Sequence, residues 1–185
     1  MKGEIAMKVL VAYASKYGAT EGIARRIGET LTTRGLDVVV AACKTVNDAS
    51  GYDAFVVGSA VYEFNWRKAA RKFVERNAEV LASKPTWLFA SGPLGAEDVH
   101  KDGNHALKDS APKQFAKYED LVHPRGTTVF RGAYDHDKVS RGDRFVAWLP
   151  GVRDLMDEGD FREWDVIDAW ATDIADELEA AEARS

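Results

Sequence analysis

The hexapeptide Ser15-Lys16-Tyr17-Gly18-Ala19-Thr20 follows the apolar run Val9-Leu10-Val11-Ala12-Tyr13-Ala14 and precedes an amphipathic run beginning near Glu21. That order reads strand, tight loop, helix. A loop of this kind turns several backbone N–H groups into one concavity, and the helix behind it adds the positive end of its dipole. An anion is the natural occupant, and Ser15 and Thr20 supply hydroxyls at the two ends of the loop. Gly18 permits a positive φ and a close backbone approach to a ligand. The stretch is not a Walker loop, since the Gly-Lys-Ser/Thr ending is absent, and it lacks the three spaced glycines of a dinucleotide fingerprint. Read alone, it suits a phosphate loop and also a plain strand-to-helix turn in which Thr20 only caps the helix.

The rest of the chain repeats the alternation. The periodicity predicts a helix over 20–34, with Ile23, Ala24, Ile27 and Leu31 on one face and Gly35 as its stop, then a strand over 37–43. A third strand, Ala54-Phe55-Val56-Val57-Gly58, runs into a loop with the aromatics Tyr62, Phe64 and Trp66. One helix is expected from about Trp66 to Ala82, with Arg67, Lys68, Arg71, Lys72 and Arg76 as a solvated basic face. Pro85 breaks the chain before a fourth strand, Thr86-Trp87-Leu88-Phe89-Ala90, which ends in the glycine-bearing loop Ser91-Gly92-Pro93-Leu94-Gly95. A helix over about 112–122, a fifth strand over 127–134, an insertion over 135–163 and a last helix from about Asp165 to Ala181 complete the order. Apolar strands alternating with helices give a parallel sheet covered on both faces. Ligands on such sheets lie outside the carboxyl ends of the strands. The loops 15–20, 60–66 and 91–95 all leave those ends.

Composition narrows the classes. At 185 residues the chain suits one domain, over 8–182 after a loose 1–7, with Met7-Lys8 as a second candidate start. It is 45% hydrophobic and 30% charged, as a globular protein is. A net charge of −5 argues against nucleic acid as partner. The lone Cys43 cannot form an internal disulfide and reads as a small buried hydrophobe. No run is long and apolar enough to cross a bilayer and no leader is visible, so a cytoplasmic location is expected. His100, His105, His123 and His136 match no metal-ligand spacing, so no metal is expected, and no acid–base pair stands out as catalytic.

Four motifs carry a resemblance over nearly the whole chain: Ser15-x-Tyr17-Gly18-x-Thr20, Val57-Gly58-Ser59-Ala60-Val61-Tyr62, Ser91-Gly92-Pro93-Leu94-Gly95 and Gly159-Asp160-Phe161-Arg162. The sequence resembles the flavodoxins, and more narrowly the flavodoxin-domain family of menaquinone-dependent protoporphyrinogen IX dehydrogenase. The resemblance implies a doubly wound five-stranded parallel sheet in the order 2-1-3-4-5, flavodoxin being a standing example of that order. It implies FMN as cofactor, with Ser15, Lys16, Tyr17, Gly18, Ala19 and Thr20 around its phosphate. Ala60, Val61, Tyr62 and Trp66 would border the ring, and Ser91, Gly92, Pro93, Leu94 and Gly95 would meet its pyrimidine edge. For Trp66 the other reading is a core anchor of its helix.

The resemblance further implies an oxidoreductase passing electrons from a reduced small molecule, such as a protoporphyrinogen, to a quinone. Electron carriage to a redox partner protein and binding of a deazaflavin are the alternatives. A quinone acceptor would imply peripheral membrane contact, for which the apolar residues within 145–155 are the candidate patch. Two departures stand out. Tyr17 replaces a hydroxyl donor often found in the loop, and Glu63-Phe64-Asn65 lacks the glycine often found there, which favours two-electron transfer.

Overall fold

The computed structural model describes residues 6–92, 111–134 and 159–184. Of the sequence expectations, Pro93 to Gly95, His100, His105, His136 and the apolar stretch 145–155 lie outside these residues.

The five long strands are β1 (Lys8–Ala14), β2 (Asp37–Ala42), β3 (Ala54–Tyr62), β5 (Thr86–Ser91) and β6 (Gly126–Phe130), and they lie in the order β2-β1-β3-β5-β6. All four pairings along that path are parallel. With the short β4 (Asn65–Trp66) set aside, this is the 2-1-3-4-5 order of a flavodoxin-like α/β sheet.

Strand alternation divides the core into two layers. Val9 and Val11 of β1 face the side covered by α1 (Ala19–Thr33) and the last helix, α5 (Trp164–Glu182), where Ile23, Ile27, Ile174 and Leu178 are buried. Leu10 and Ala12 face the opposite side, covered by α2 (Lys68–Arg76), α3 (Ala78–Ser83) and α4 (Gln114–Val122), with Phe73, Leu81, Phe115 and Tyr118 inside. The inner strands β1, β3 and β5 are therefore buried on both faces, and that is why they read as continuous apolar runs. The two helices over the first layer are also stapled outside it: Arg26 holds Asp168 through paired bonds of 2.7 and 2.5 Å.

Three expectations are corrected. The loop after Gly58 is a hairpin: β3 runs on to Tyr62, and Tyr62 pairs with Asn65 across the two-residue turn Glu63-Phe64. Both turn residues have positive φ, 50° and 61°, the signature of a type I′ turn built without glycine. The single helix expected over 66–82 is two, broken at Asn77, whose backbone leaves the helical region at φ −107° and ψ 19° and whose N and Nδ2 both donate to the Phe73 carbonyl, at 3.1 and 2.9 Å. The fifth strand stops at Phe130. Residues 133–134 form β7, antiparallel to β8 (Gly159–Asp160). At the other end, the Met7 carbonyl accepts from Asp37 N at 3.1 Å.

Candidate functional site

Register brings together the ends of β1, β3 and β5, from which the three segments leave, the third being described as far as Gly92. Ala14 of β1 pairs with Ser59 of β3, and Ala60 of β3 pairs with Ser91 of β5, so the segments that follow leave the sheet side by side. They also touch: a Cβ on Gly92 would lie 3.7 Å from Val61 Cβ. The Gly92 amide is fixed by a 3.0 Å bond to the Phe130 carbonyl.

At the first loop Gly18 sits at the N-cap of α1 with φ of 93°, a conformation closed to most L side chains. Its amide donates to Ser15 Oγ at 3.0 Å, so one of the amides expected for a ligand is spent on shaping the loop, and Ser15 keeps its hydroxyl proton to donate. Ala19, Thr20 and Glu21 follow in the first helical turn, where backbone amides have no carbonyl one turn earlier to bond. Glu21 is engaged by Arg25 through bonds of 3.0 and 2.7 Å, which offsets the one acidic charge in that turn.

Thr20 is the telling residue. It is 1% exposed, and its Oγ1 is buried without a hydrogen-bond partner. A buried hydroxyl left unpaired costs about 1–3 kcal/mol. An orphaned hydroxyl and open helix-terminal amides, in a turn shaped by a left-handed glycine, fit a phosphate, whose several oxygens would accept from the hydroxyl and the amides.

The ring-side residues divide. Ala60 and Val61 are half-buried at the end of β3, and Tyr62 is 44% exposed with the Arg67 guanidinium 5.8 Å above its ring. Phe64, at the tip of the turn, is 53% exposed. Trp66 is not available to a ligand ring. It is 1% exposed and packs edge-on against Phe115 and Tyr118 at centroid distances of 5.8 and 5.7 Å, the core-anchor reading of this residue.

The helix face taken as solvated is only partly so. Arg76 donates to the Val46 carbonyl at 2.6 Å, and Arg71 buries its Nε. Lys16, Arg67 and Lys68 instead line a cleft of about 290 Å³ with Tyr62 and Asn65, beside the first loop. That cleft gathers positive charge in a chain whose net charge is −5.

Sequence reasoning missed Gln114. Its Oε1 accepts from Trp66 N at 2.9 Å and its Nε2 donates to Asn65 Oδ1 at 3.0 Å, while Lys113 N donates to the Phe64 carbonyl at 2.9 Å. The start of α4 thus clamps the hairpin in its strained turn. A glutamine just after a helix start carries no signal that would have marked it. Among the described residues no group of histidine, cysteine and acidic side chains could hold a metal ion. No described helix is long and apolar enough to cross a membrane.

A parallel sheet in this order, flanked by helices on both faces and with a left-handed glycine turn leading from its first strand into α1, defines an α/β domain of the flavodoxin class. The flavodoxin domain profile matches residues 10–154, and the chain belongs to that family. Comparison with curated protein sequences finds no match. Among solved structures, a flavodoxin from the domain Archaea is 20% identical with a TM-score of 0.56, the match covering 94% of this chain and 99% of that one. The two-electron reduced flavodoxin of Megasphaera elsdenii is 21% identical at a TM-score of 0.51, covering 66% of this chain and 85% of that one. The Flv1 flavodiiron core of Synechocystis sp. PCC6803 is 17% identical at a TM-score of 0.62, covering 96% of this chain but 37% of that one. At these identities the likeness is one of fold.

Proposed function

We propose that the chain binds FMN at the carboxyl edge of its sheet and works as a flavin-dependent oxidoreductase on a small anionic substrate. The observation that carries the cofactor assignment is the orphaned Thr20 hydroxyl inside the first turn of α1. FMN, when bound, would supply the redox chemistry, taking and returning electrons. Ser15 and Thr20 would donate hydroxyl protons to the phosphate, joined by the amides of Ala19 and Thr20. Ala60, Val61 and Tyr62 would bound the ring on one side, with Ser91 and Gly92 on its polar edge. The Glu63-Phe64 turn, clamped from α4 by Gln114, would resist backbone rearrangement next to the ring and so favour two-electron transfer.

The substrate reading rests on the cleft of Lys16, Arg67 and Lys68, whose charge suits a carboxylate-bearing molecule. A protoporphyrinogen with a quinone acceptor is one pair of that class, and it would bring the protein to a membrane surface. Membership of the flavodoxin domain family favours a second reading, in which the chain is an electron carrier docking to a partner protein. Two anaerobic mixtures separate the readings: the oxidised, flavin-loaded protein with protoporphyrinogen and a short-chain quinone, and the reduced, flavin-loaded protein with an oxidised redox protein. Catalytic turnover that falls when Arg67 and Lys68 are both changed to glutamate supports the oxidoreductase. Stoichiometric oxidation by a redox protein without turnover of the small molecule supports the carrier. Loading with a deazaflavin in preference to FMN would replace the cofactor assignment.

A further inference from the structure

We propose that Arg162 is a phosphate-selecting residue. Its guanidinium supplies a fixed positive charge at the first turn of α1 that makes the Ser15 to Thr20 loop prefer a phosphorylated flavin over an unphosphorylated one. The inference rests on the FMN reading above and adds a residue that lies outside the loop and close to the far end of the chain.

The geometry is built in steps. The β7–β8 ladder pairs Ala133 with Asp160 and Tyr134 with Gly159, and Phe161 N donates to the Gly132 carbonyl at 3.1 Å. This fixes the segment in front of α5 beside the phosphate loop. Asp160 then grips Arg162 in a fork: Nε donates to Oδ1 at 2.7 Å and Nη2 to Oδ2 at 2.5 Å, with the Arg162 amide also on Oδ1 at 3.1 Å. The Trp164 ring lies against the guanidinium, 4.5 Å from its central carbon. Held on those sides, Arg162 directs Nη1 at α1, where it lies 3.5 Å from the Ala19 carbonyl.

The helix is shaped to receive it. A Cβ on Gly22 would stand 2.3 Å from Arg162 Nη1, so the cation reaches the first turn only because residue 22 is glycine. A cation at a helix N-terminus opposes the helix dipole, an arrangement that costs free energy unless an anion is placed there. Asp160 offsets one unit of that charge. The helix end and its open amides keep positive potential beside the guanidinium and around the orphaned Thr20 hydroxyl. The Arg162 side chain is 18% exposed, so solvent and salt screen its charge only in part. A dianionic phosphate would convert an unfavourable arrangement into a favourable one, and a neutral ribityl end would not.

The test titrates the full-length flavin-free protein with FMN and with riboflavin, following flavin fluorescence. Wild type should favour FMN. Arg162→Met should lose roughly tenfold in FMN affinity, the scale of one contact to a charged group, with riboflavin affinity unchanged. Gly22→Ala should displace the guanidinium and lower the FMN preference in the same direction. That variant keeps the fold, because alanine is the better helix former and the displaced atom is the end of a flexible side chain. Asp160→Asn should raise FMN affinity by releasing the charge from its partner. Added salt should erode the FMN preference of wild type more than that of Arg162→Met. Equal losses for FMN and riboflavin in Arg162→Met and Gly22→Ala would mark Arg162 as a structural fastener and overturn the inference. So would a wild-type FMN preference that survives both substitutions. Wild-type protein that binds the two flavins equally would overturn the FMN-phosphate reading and this inference with it.

Discussion

Replacing Thr20 by valine separates a site residue from a helix cap, because the two roles predict opposite signs. Valine keeps the shape of threonine and has nearly the same helix propensity, so the substitution removes one hydroxyl and little else. In the ligand-free protein that hydroxyl is buried and unpaired. Its removal should recover roughly 1–2 kcal/mol of the desolvation cost of an unmade hydrogen bond. For a chain of this size each kcal/mol moves the melting temperature by about 2–4 °C, so Thr20→Val should melt about 2–8 °C higher than wild type without flavin. With FMN the sign reverses. Loss of a donor to a charged phosphate costs about 1.5–3 kcal/mol, or roughly 10- to 150-fold in affinity. Thermal melts with and without FMN, combined with a fluorescence titration, read both quantities. A variant that melts lower than wild type without flavin and binds FMN as tightly would show that the hydroxyl caps the helix and does nothing for a ligand.

Other consequences are separable by simple measurements. Burial pushes the Cys43 thiol up to about 12, so in the folded protein it should resist alkylation at pH 8. Because its folded pKa is raised, the contribution to stability is full below the ordinary thiol range near 9. It is lost as pH climbs from there towards 12, by up to about 1.4 kcal/mol per pH unit, and Cys43→Ala should flatten that part of the pH–stability curve. Trp66→Ala should cost about 3–5 kcal/mol in denaturant unfolding as a core cavity, whereas Trp66→Phe should retain FMN affinity because the ring anchors α4 rather than the ligand. Relieving the turn with Glu63→Asn and Phe64→Gly together should raise stability by about 1 kcal/mol. The same pair should raise the first one-electron potential of bound flavin relative to the second, read by potentiometric titration; an unchanged difference would separate the turn from the redox behaviour.

What the sequence disclosed and what it hid follow one physical line. Parallel strands buried on both faces are written as apolar runs, so β1, β3 and β5 and the helices between them are legible from local pattern alone. Glu63-Phe64 hid the hairpin because type I′ turns are recognised by Asn-Gly or Asp-Gly, and this one is held instead by Gln114 from a distant helix. Asn77 was a readable stop, since its side chain competes for the backbone of its own helix. The pairing of residues 133–134 with 159–160 could not be foreseen, being non-local and only two residues long. At the site, the hydroxyls of Ser15 and Thr20 were visible as residue types, but their unequal use was not. Ser15 shapes the loop through Gly18, whereas the Thr20 hydroxyl is left buried and unpaired. Arg162 and Gly22 meet only in three dimensions, so neither could be read from the other.

The central claim, that the loop at residues 15–20 holds the phosphate of FMN, is tested most directly by titrating the flavin-free protein with FMN at equilibrium. Saturable binding at one FMN per chain, tighter than riboflavin and weakened at least tenfold by Ser15→Ala with Thr20→Val, is the result expected from one or two lost donors to a phosphate. Absence of saturable binding, or binding that neither the phosphate nor the double substitution affects, would contradict it.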